Sequence, residues 1–275
     1  DILKNKKLKI GFDPKLFTKK TLNIFFGKTN CKYVPIEKNL IDKIWIRKKN
    51  TLKKGFYLLP NKIVGENYKS KINKIVLNLK KGKANLQFVT ASENNAWLLN
   101  IRGNDSKYTP IPNSYILIDQ NKEVTFLCNL KKISSSFKKK FNNVKFVNIN
   151  SIEKILSKIN KKKIIIDSNT CSIFFENIIL KNNTILKHQD SIYSLKAIKS
   201  KKEIRNIKTA HIYDGAALTK YLFWLKNNFV KKRITEIDGE KKLFNFRKKN
   251  KTFNFLSFPT ISGTGPNGAI IHYRA

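Results

Sequence analysis

Of the three histidines in this 275-residue chain, His272 has surroundings that suit chemistry. It ends a short apolar run, Ala269-Ile-Ile, which follows a loop holding Gly263, Gly265, Pro266 and Gly268. Glycines let backbone come close to a ligand where side chains would block it. An imidazole at the far end of such a loop can exchange a proton near neutral pH. The sequence stops three residues later, so most groups that would work with His272 are expected outside it.

The remaining residues offer less. His188 follows a polar turn and reads as a surface side chain. His211 sits on the apolar face of a helical stretch and reads as a satisfied interface histidine rather than a ligand. Trp97 reads as a core aromatic and Arg102 as an ion-pair donor that stabilises the fold. There is no HExxH, no GxSxG and no pair of Cys or His at ligand spacing. Gly263-Thr-Gly-Pro-Asn-Gly268 matches G-x-G-x-x-G, but a dinucleotide site needs a helix directly after it and an acidic residue beyond. Here a strand-like run follows, so that chemistry is excluded. Cys31, Cys128 and Cys171 lie far apart and read as reduced, buried small hydrophobes of a cytosolic protein.

The elements that must position His272 fall into three stretches. Residues 1–65 alternate strand and helix signals, with strands at 8–12 and 31–34 around a helix at 16–26, and end in a linker through Pro60 and Gly65. Residues 66–197 open with a helix from Tyr68 to Lys81, stopped by Gly82. Strands follow at 86–89, 115–118, 124–128, 144–147 and 163–167, with a helix at 152–159. Such spacing means a mixed α/β domain. Residues 198–275 begin with an S-x-x-E capping box, Ser200 to Glu203, which opens a long helix. Its Ile204, Ile207, His211, Leu218, Leu222 and Leu225 keep helical spacing, which predicts one face packed on a core. Thr235 to Asp238 caps a second helix, and 253–257 and 269–273 read as strands.

Charge is the competing signal. The chain carries 57 Lys and Arg against 18 Asp and Glu, a formal net charge of +39, which by itself points to nucleic acid. Only six of the 57 are arginine, the residue that supplies bidentate base and phosphate contacts. The lysines are spread along the whole chain, and no run is long enough to be a basic tail. They read as a solvated coat rather than a specific groove. No apolar stretch reaches membrane-span length, and the N-terminus lacks a signal peptide's apolar core. Methionine is absent even at position 1, which adds the expectation of a fragment at both ends.

Three sets of residues together resemble one family. The C-terminal set is Ile198-Lys-Ser-Lys-Lys-Glu-Ile, Ala210-His-Ile-Tyr-Asp-Gly, Thr235-Glu-Ile, Ser257-Phe-Pro-Thr-Ile-Ser and Gly265-Pro-Asn-Gly-Ala-Ile-Ile-His-Tyr273. A middle set runs from Glu93-Asn-Asn-Ala-Trp to Asn104-Asp105 with Pro110, and an early one is Val34-Pro-Ile-Glu to Ile44-Trp45. Their types and order resemble the Xaa-Pro aminopeptidases (aminopeptidase P) of three-domain, cytosolic type.

The resemblance implies an α/β (α+β) fold class. Two creatinase-N-like domains, the first at 1–65 in part and the second at 66–197, would precede the start of a pita-bread catalytic domain at 198–275. It implies release of the N-terminal residue from peptides with proline in second position. The cofactor would be two divalent metal ions, manganese, held by two aspartates, a histidine and two glutamates C-terminal to Ala275 and by no residue of this chain. His272 matches the family's histidine that contacts substrate, shuttles a proton or stabilises the intermediate. A cytoplasmic homodimer is expected of the full-length protein, and the scattered lysines and the lack of a membrane-length apolar stretch add the expectation of no specific nucleic-acid partner and no membrane partner. The alternative is a non-catalytic pita-bread relative acting as a protein- or RNA-binding module.

Overall fold

The computed structural model describes residues 7–45, 55–231 and 233–274. Contacts divide the chain into two compact units: residues 1–60, 66–105 and 111–198 form one, and residues 61–65, 106–110 and 199–275 the other.

All described strands lie in the first unit. They are β1 (Lys9–Phe12), β2 (Lys32–Pro35), β3 (Tyr57–Leu58), β4 (Leu86–Val89), β5 (Ile101–Arg102), β6 (Tyr115–Asp119), β7 (Val124–Cys128), β8 (Val144–Asn148), β9 (Lys163–Ile166) and β10 (Thr184–Lys187). A six-stranded sheet runs β10-β9-β4-β6-β7-β8. Its two antiparallel pairs, β4 with β6 and β6 with β7, sit between parallel pairs at both edges.

Alternation along the strands builds two cores. Ile116 and Ile118 of β6 and Ile165 of β9 face one layer, where Ile72, Ile75, Val76 and Leu79 of the Tyr68–Lys81 helix cover them. Leu117 of β6 and Ile164 and Ile166 of β9 face the other, under Ile152, Leu156, Ile178 and Ile179. With helices on both faces, a strand can be apolar at successive positions rather than at alternate ones, as β9 is at Ile164-Ile-Ile166. This is the α/β class expected from the sequence. The Tyr68–Lys81 helix starts at the Asn67 cap, which accepts from Ser70 N at 2.9 Å, and ends at Gly82 as its sequence predicts.

The β1–β2 segment joins this unit through backbone bonds from Ile173 N to Phe17 O (2.8 Å) and Phe174 N to Pro14 O (3.0 Å). Lys19 and Lys187 converge on the Glu176 carboxylate, each at 2.9 Å.

Two expectations change here. Residues 46–54 of the predicted linker lie outside the described residues, but Tyr57 and Leu58 beyond them are strand, paired antiparallel with Arg102 and Ile101. Two residues too few to show a period become a strand because a distant segment supplies the ladder. The expected strands at 253–257 and 269–273 are absent: the first is irregular, and the second belongs to a 3-10 turn, Gly265–Ala269, and a following bend. Phe255, Ile270 and Ile271 have the right propensity, but no described strand offers them a ladder, and strand propensity holds only with a paired neighbour.

The second unit centres on the Lys201–Asn228 and Glu236–Lys248 helices. Both predicted capping boxes form. Ser200 Oγ accepts from Glu203 N at 3.2 Å and Glu203 Oε2 from Ser200 N at 2.7 Å, while Thr235 and Asp238 do the same for the second helix. Arg247 locks the helices together, donating to both carboxylate oxygens of Asp214 at 2.6 and 3.1 Å. The expected packed stripe is overturned. Ile204, Ile207, Leu218 and Leu222 remain 41–54% exposed, and Ala217 is the buried residue of the long helix. One shorter helix cannot cover the length of a 28-residue neighbour. No helix among the described residues is long and apolar enough to cross a membrane.

Candidate functional site

The site around His272 is built on the first turn of the Glu236–Lys248 helix. Thr235 Oγ1 accepts from Asp238 N, and the Asp238 carboxylate accepts from Thr235 N. Those two residues serve the helix terminus, which leaves Glu236, at the first helical position, free to reach outward. Its Oε1 accepts from Thr264 N at 2.6 Å and its Oε2 from the Tyr273 hydroxyl at 2.8 Å. The Asn267 amide donates to both oxygens, at 3.2 and 3.3 Å, and to the Tyr273 hydroxyl at 3.0 Å. One half-buried carboxylate thus holds the loop at its start, its middle and beyond its end.

Within the loop the glycines have different tasks. Gly265 has φ +54°, a left-handed conformation that side chains disfavour. Gly263 passes so close to the Asn267 carbonyl that a Cβ would stand 3.0 Å from its oxygen. The turn is closed by Asn267 N to Thr264 O, Ile270 N to Asn267 O and Tyr273 N to Ile270 O at 3.2–3.3 Å. His272 follows at φ +56°, its side chain exposed and without a hydrogen-bond partner among the described residues. An imidazole so placed is available to a ligand.

The hydrogen bond from Tyr273 holds the Glu236 carboxyl below its usual range, and the same bond raises the Tyr273 phenol above its own. Glu236 is therefore an acceptor at neutral pH and not a general acid.

The other sequence-derived residues lie elsewhere. His188 is exposed, as expected. His211 is exposed rather than at an interface, its Nδ1 2.8 Å from the Ile207 carbonyl of its own helix, because the stripe it shares remains uncovered. Trp97 packs against the first-unit core with the Lys71 ammonium 3.9 Å above its ring. The Arg102 guanidinium donates to the Ala96 and Ile101 carbonyls at 3.1 and 3.0 Å. Burial pushes the Cys128 and Cys171 thiols up to about 12, which makes both inert as nucleophiles, while Cys31 is only half-buried.

A cavity of about 580 Å³ opens in the same unit, lined by Tyr213, Asp214, Arg247, Phe253 and Phe258 among others, and does not include His272. Among the described residues no three His, Cys, Asp or Glu side chains converge as a metal site would require.

Sequence reasoning reached His272 but missed Glu236, Asn267 and Tyr273 as its supports. The available signal was an acid that the cap at Thr235 and Asp238 left unused.

Comparison with known proteins adds the following. The sequence model of the creatinase/prolidase N-terminal domain matches residues 47–203, and that of metallopeptidase family M24 matches residues 205–275. A Blastomyces gilchristii protein described as a probable Xaa-Pro aminopeptidase P is 31% identical over 97% of this chain and 46% of its own length. Xaa-Pro aminopeptidase 1 of Dictyostelium discoideum is 32% identical over 98% of this chain and 46% of its own. The crystal structure of X-prolyl aminopeptidase from Caenorhabditis elegans, described as a cytosolic enzyme with a di-nuclear active site, superposes with a TM-score of 0.89 at 25% identity. It too is matched over 98% of this chain and 46% of its own. The chain spans about half the length of the relatives it matches.

Proposed function

The chain belongs to the creatinase/prolidase N-terminal domain family, and from that membership we propose that the protein is a metal-dependent aminopeptidase releasing the residue that precedes proline at a peptide's N-terminus. The observation that carries this reading is the continuity of the likeness. One enzyme accompanies the chain over 98% of its residues at a TM-score of 0.89, through the creatinase-type stretch and into the M24 stretch.

On this reading the protein uses two divalent metal ions, manganese, a number in keeping with the di-nuclear active site of the Caenorhabditis elegans relative. The described residues do not fit such a centre, because no ligand set converges among them. What this chain supplies is His272. The imidazole there binds the substrate, donates a hydrogen bond to an oxyanion forming at the scissile carbonyl, or carries a proton to the departing amine. The loop gives it backbone with little side-chain cover, which suits close approach of a peptide.

The same reading makes the protein a cytoplasmic homodimer acting on peptides, with no specific nucleic-acid or membrane partner. It also divides the chain at about residues 65 and 197 into two creatinase-type parts and the start of a catalytic domain.

The test incubates the protein, in the full length its gene encodes, with a peptide of Xaa-Pro-Xaa type, before and after chelation and with manganese restored. Release of the first residue only with metal is the expected result. No release under any metal, from folded protein, overturns the proposal and leaves the non-catalytic binding module standing.

A further inference from the structure

The Glu236 carboxylate is at a helix start, where an acid is stabilising through the helix dipole alone. Its geometry serves something else. The N–H groups of Asp238 and Thr235 already have their capping partners in Thr235 Oγ1 and the Asp238 carboxylate. Both Glu236 oxygens instead point at residues 28 to 37 positions further along, namely Thr264, Asn267 and Tyr273. Those three bracket the glycine loop, and Tyr273 adjoins His272. His272 itself holds φ +56°, a conformation that non-glycine residues keep only where their surroundings fix it.

We propose that Glu236 is the positioning residue for His272: by accepting from the Thr264 amide, the Asn267 amide group and the Tyr273 hydroxyl, it ties the glycine loop to the Glu236–Lys248 helix and so sets where the imidazole stands. The tie itself is independent of the proposed function, and its catalytic consequence rests on that reading. Gly239, one turn further on, is buried, and a Cβ there would meet the Tyr221 hydroxyl at 2.8 Å. The helix start that carries Glu236 is therefore closely packed against its neighbour and cannot easily shift to follow the loop. A closely packed base and a conformationally costly loop are thus held to each other through this one carboxylate.

The experiment compares Glu236→Ala and Glu236→Gln with wild type in two measurements. The first is amide hydrogen exchange across residues 257–273 and the Glu236–Lys248 helix in this 275-residue chain. Exchange at Thr264 should rise roughly tenfold in Glu236→Ala, the size expected for one lost hydrogen bond, with the helix amides unchanged. Glu236→Gln, which retains one acceptor oxygen, should fall between Ala and wild type.

The second measurement is kcat/KM of the full-length protein on an Xaa-Pro peptide, with His272→Ala alone and combined with Glu236→Ala. The expected result is non-additivity: His272→Ala costs little more once Glu236 is gone, because the imidazole is already misplaced. Unchanged Thr264 exchange, or strictly additive losses, overturns the proposal. Should the wild type lack peptidase activity, the proposed function fails, and the exchange measurement alone decides the role of Glu236.

Discussion

Lys71 Nζ donates to Asn100 Oδ1 at 2.6 Å inside the first unit, where the lysine is only 1% exposed. Asn100 ends the Ser92–Leu99 helix at φ +57°, and its Nδ2 donates to the Glu66 carbonyl at 2.9 Å. The same ammonium donates to Trp97 O at 2.9 Å and sits over that residue's ring. One of the chain's lysines thus joins two helices from within, while most of the others face water.

Replacing Lys71 by methionine keeps the stem and removes the donor, leaving the Asn100 side-chain oxygen and the Trp97 carbonyl without the ammonium. The Trp97 carbonyl keeps the Asn100 N–H at 3.3 Å, so the loss falls on the buried Asn100 oxygen, and leaving such an acceptor unpaired costs about 1–3 kcal/mol. Chemical denaturation should show a loss of that order. A variant as stable as wild type would mean that the apolar stem is all the site requires.

Asp190 gives stability a pH dependence of defined sign. Burial raises its carboxyl above the ordinary 3.8, against the opposing hydrogen bonds from Ile192 N, Asn94 and Gln87. Asp167, which accepts from Asp190 N, adds a like charge nearby. A folded-state value above the unfolded one means that the acid's contribution is complete below the unfolded value and declines as pH rises through the folded one. The stability of wild type relative to Asp190→Asn should therefore fall as pH climbs from about 4 towards neutrality. The opposite slope would mean that the three donors outweigh burial.

The loop glycines can be separated by substitution. Alanine at Gly265 meets no atom within 4 Å yet must adopt φ +54°, a strain of about 1–2 kcal/mol. Alanine at Gly268 would meet only the Gly263 carbonyl oxygen at 3.9 Å, so its effect should remain within about 0.5 kcal/mol. Equal unfolding midpoints for the two variants would contradict the left-handed turn.

His272→Ala should reduce turnover on an Xaa-Pro peptide by two to three orders of magnitude, about 2.7–4 kcal/mol, while leaving the melting temperature nearly unchanged. The exposed ring, without a hydrogen-bond partner among the described residues, makes the second half of that statement specific. A loss of stability with proportionate activity would return the histidine to a structural role.

The sequence alone was sufficient wherever a pattern is local. The β-branched run at 163–167, the apolar run at 115–118, the Gly82 stop and the caps at Ser200 and Thr235 each involve neighbours within a few residues, and each forms to within a residue of where it is expected. The glycine loop and His272 could be singled out for the same reason. What only the tertiary structure decided depends on partners far along the chain. Tyr57 and Leu58 became strand because Arg102 and Ile101 lie beside them, and the apolar residues at 253–257 and 269–273 did not because nothing described pairs with them. Lys71 went inward because an asparagine 29 positions away accepts a hydrogen bond from its ammonium. Glu236 became the joint of the site because residues 28 to 37 positions on fold back to its carboxylate. A hydrogen bond between distant residues leaves no period in the sequence, since its energy depends on a geometry that exists only after the chain has folded.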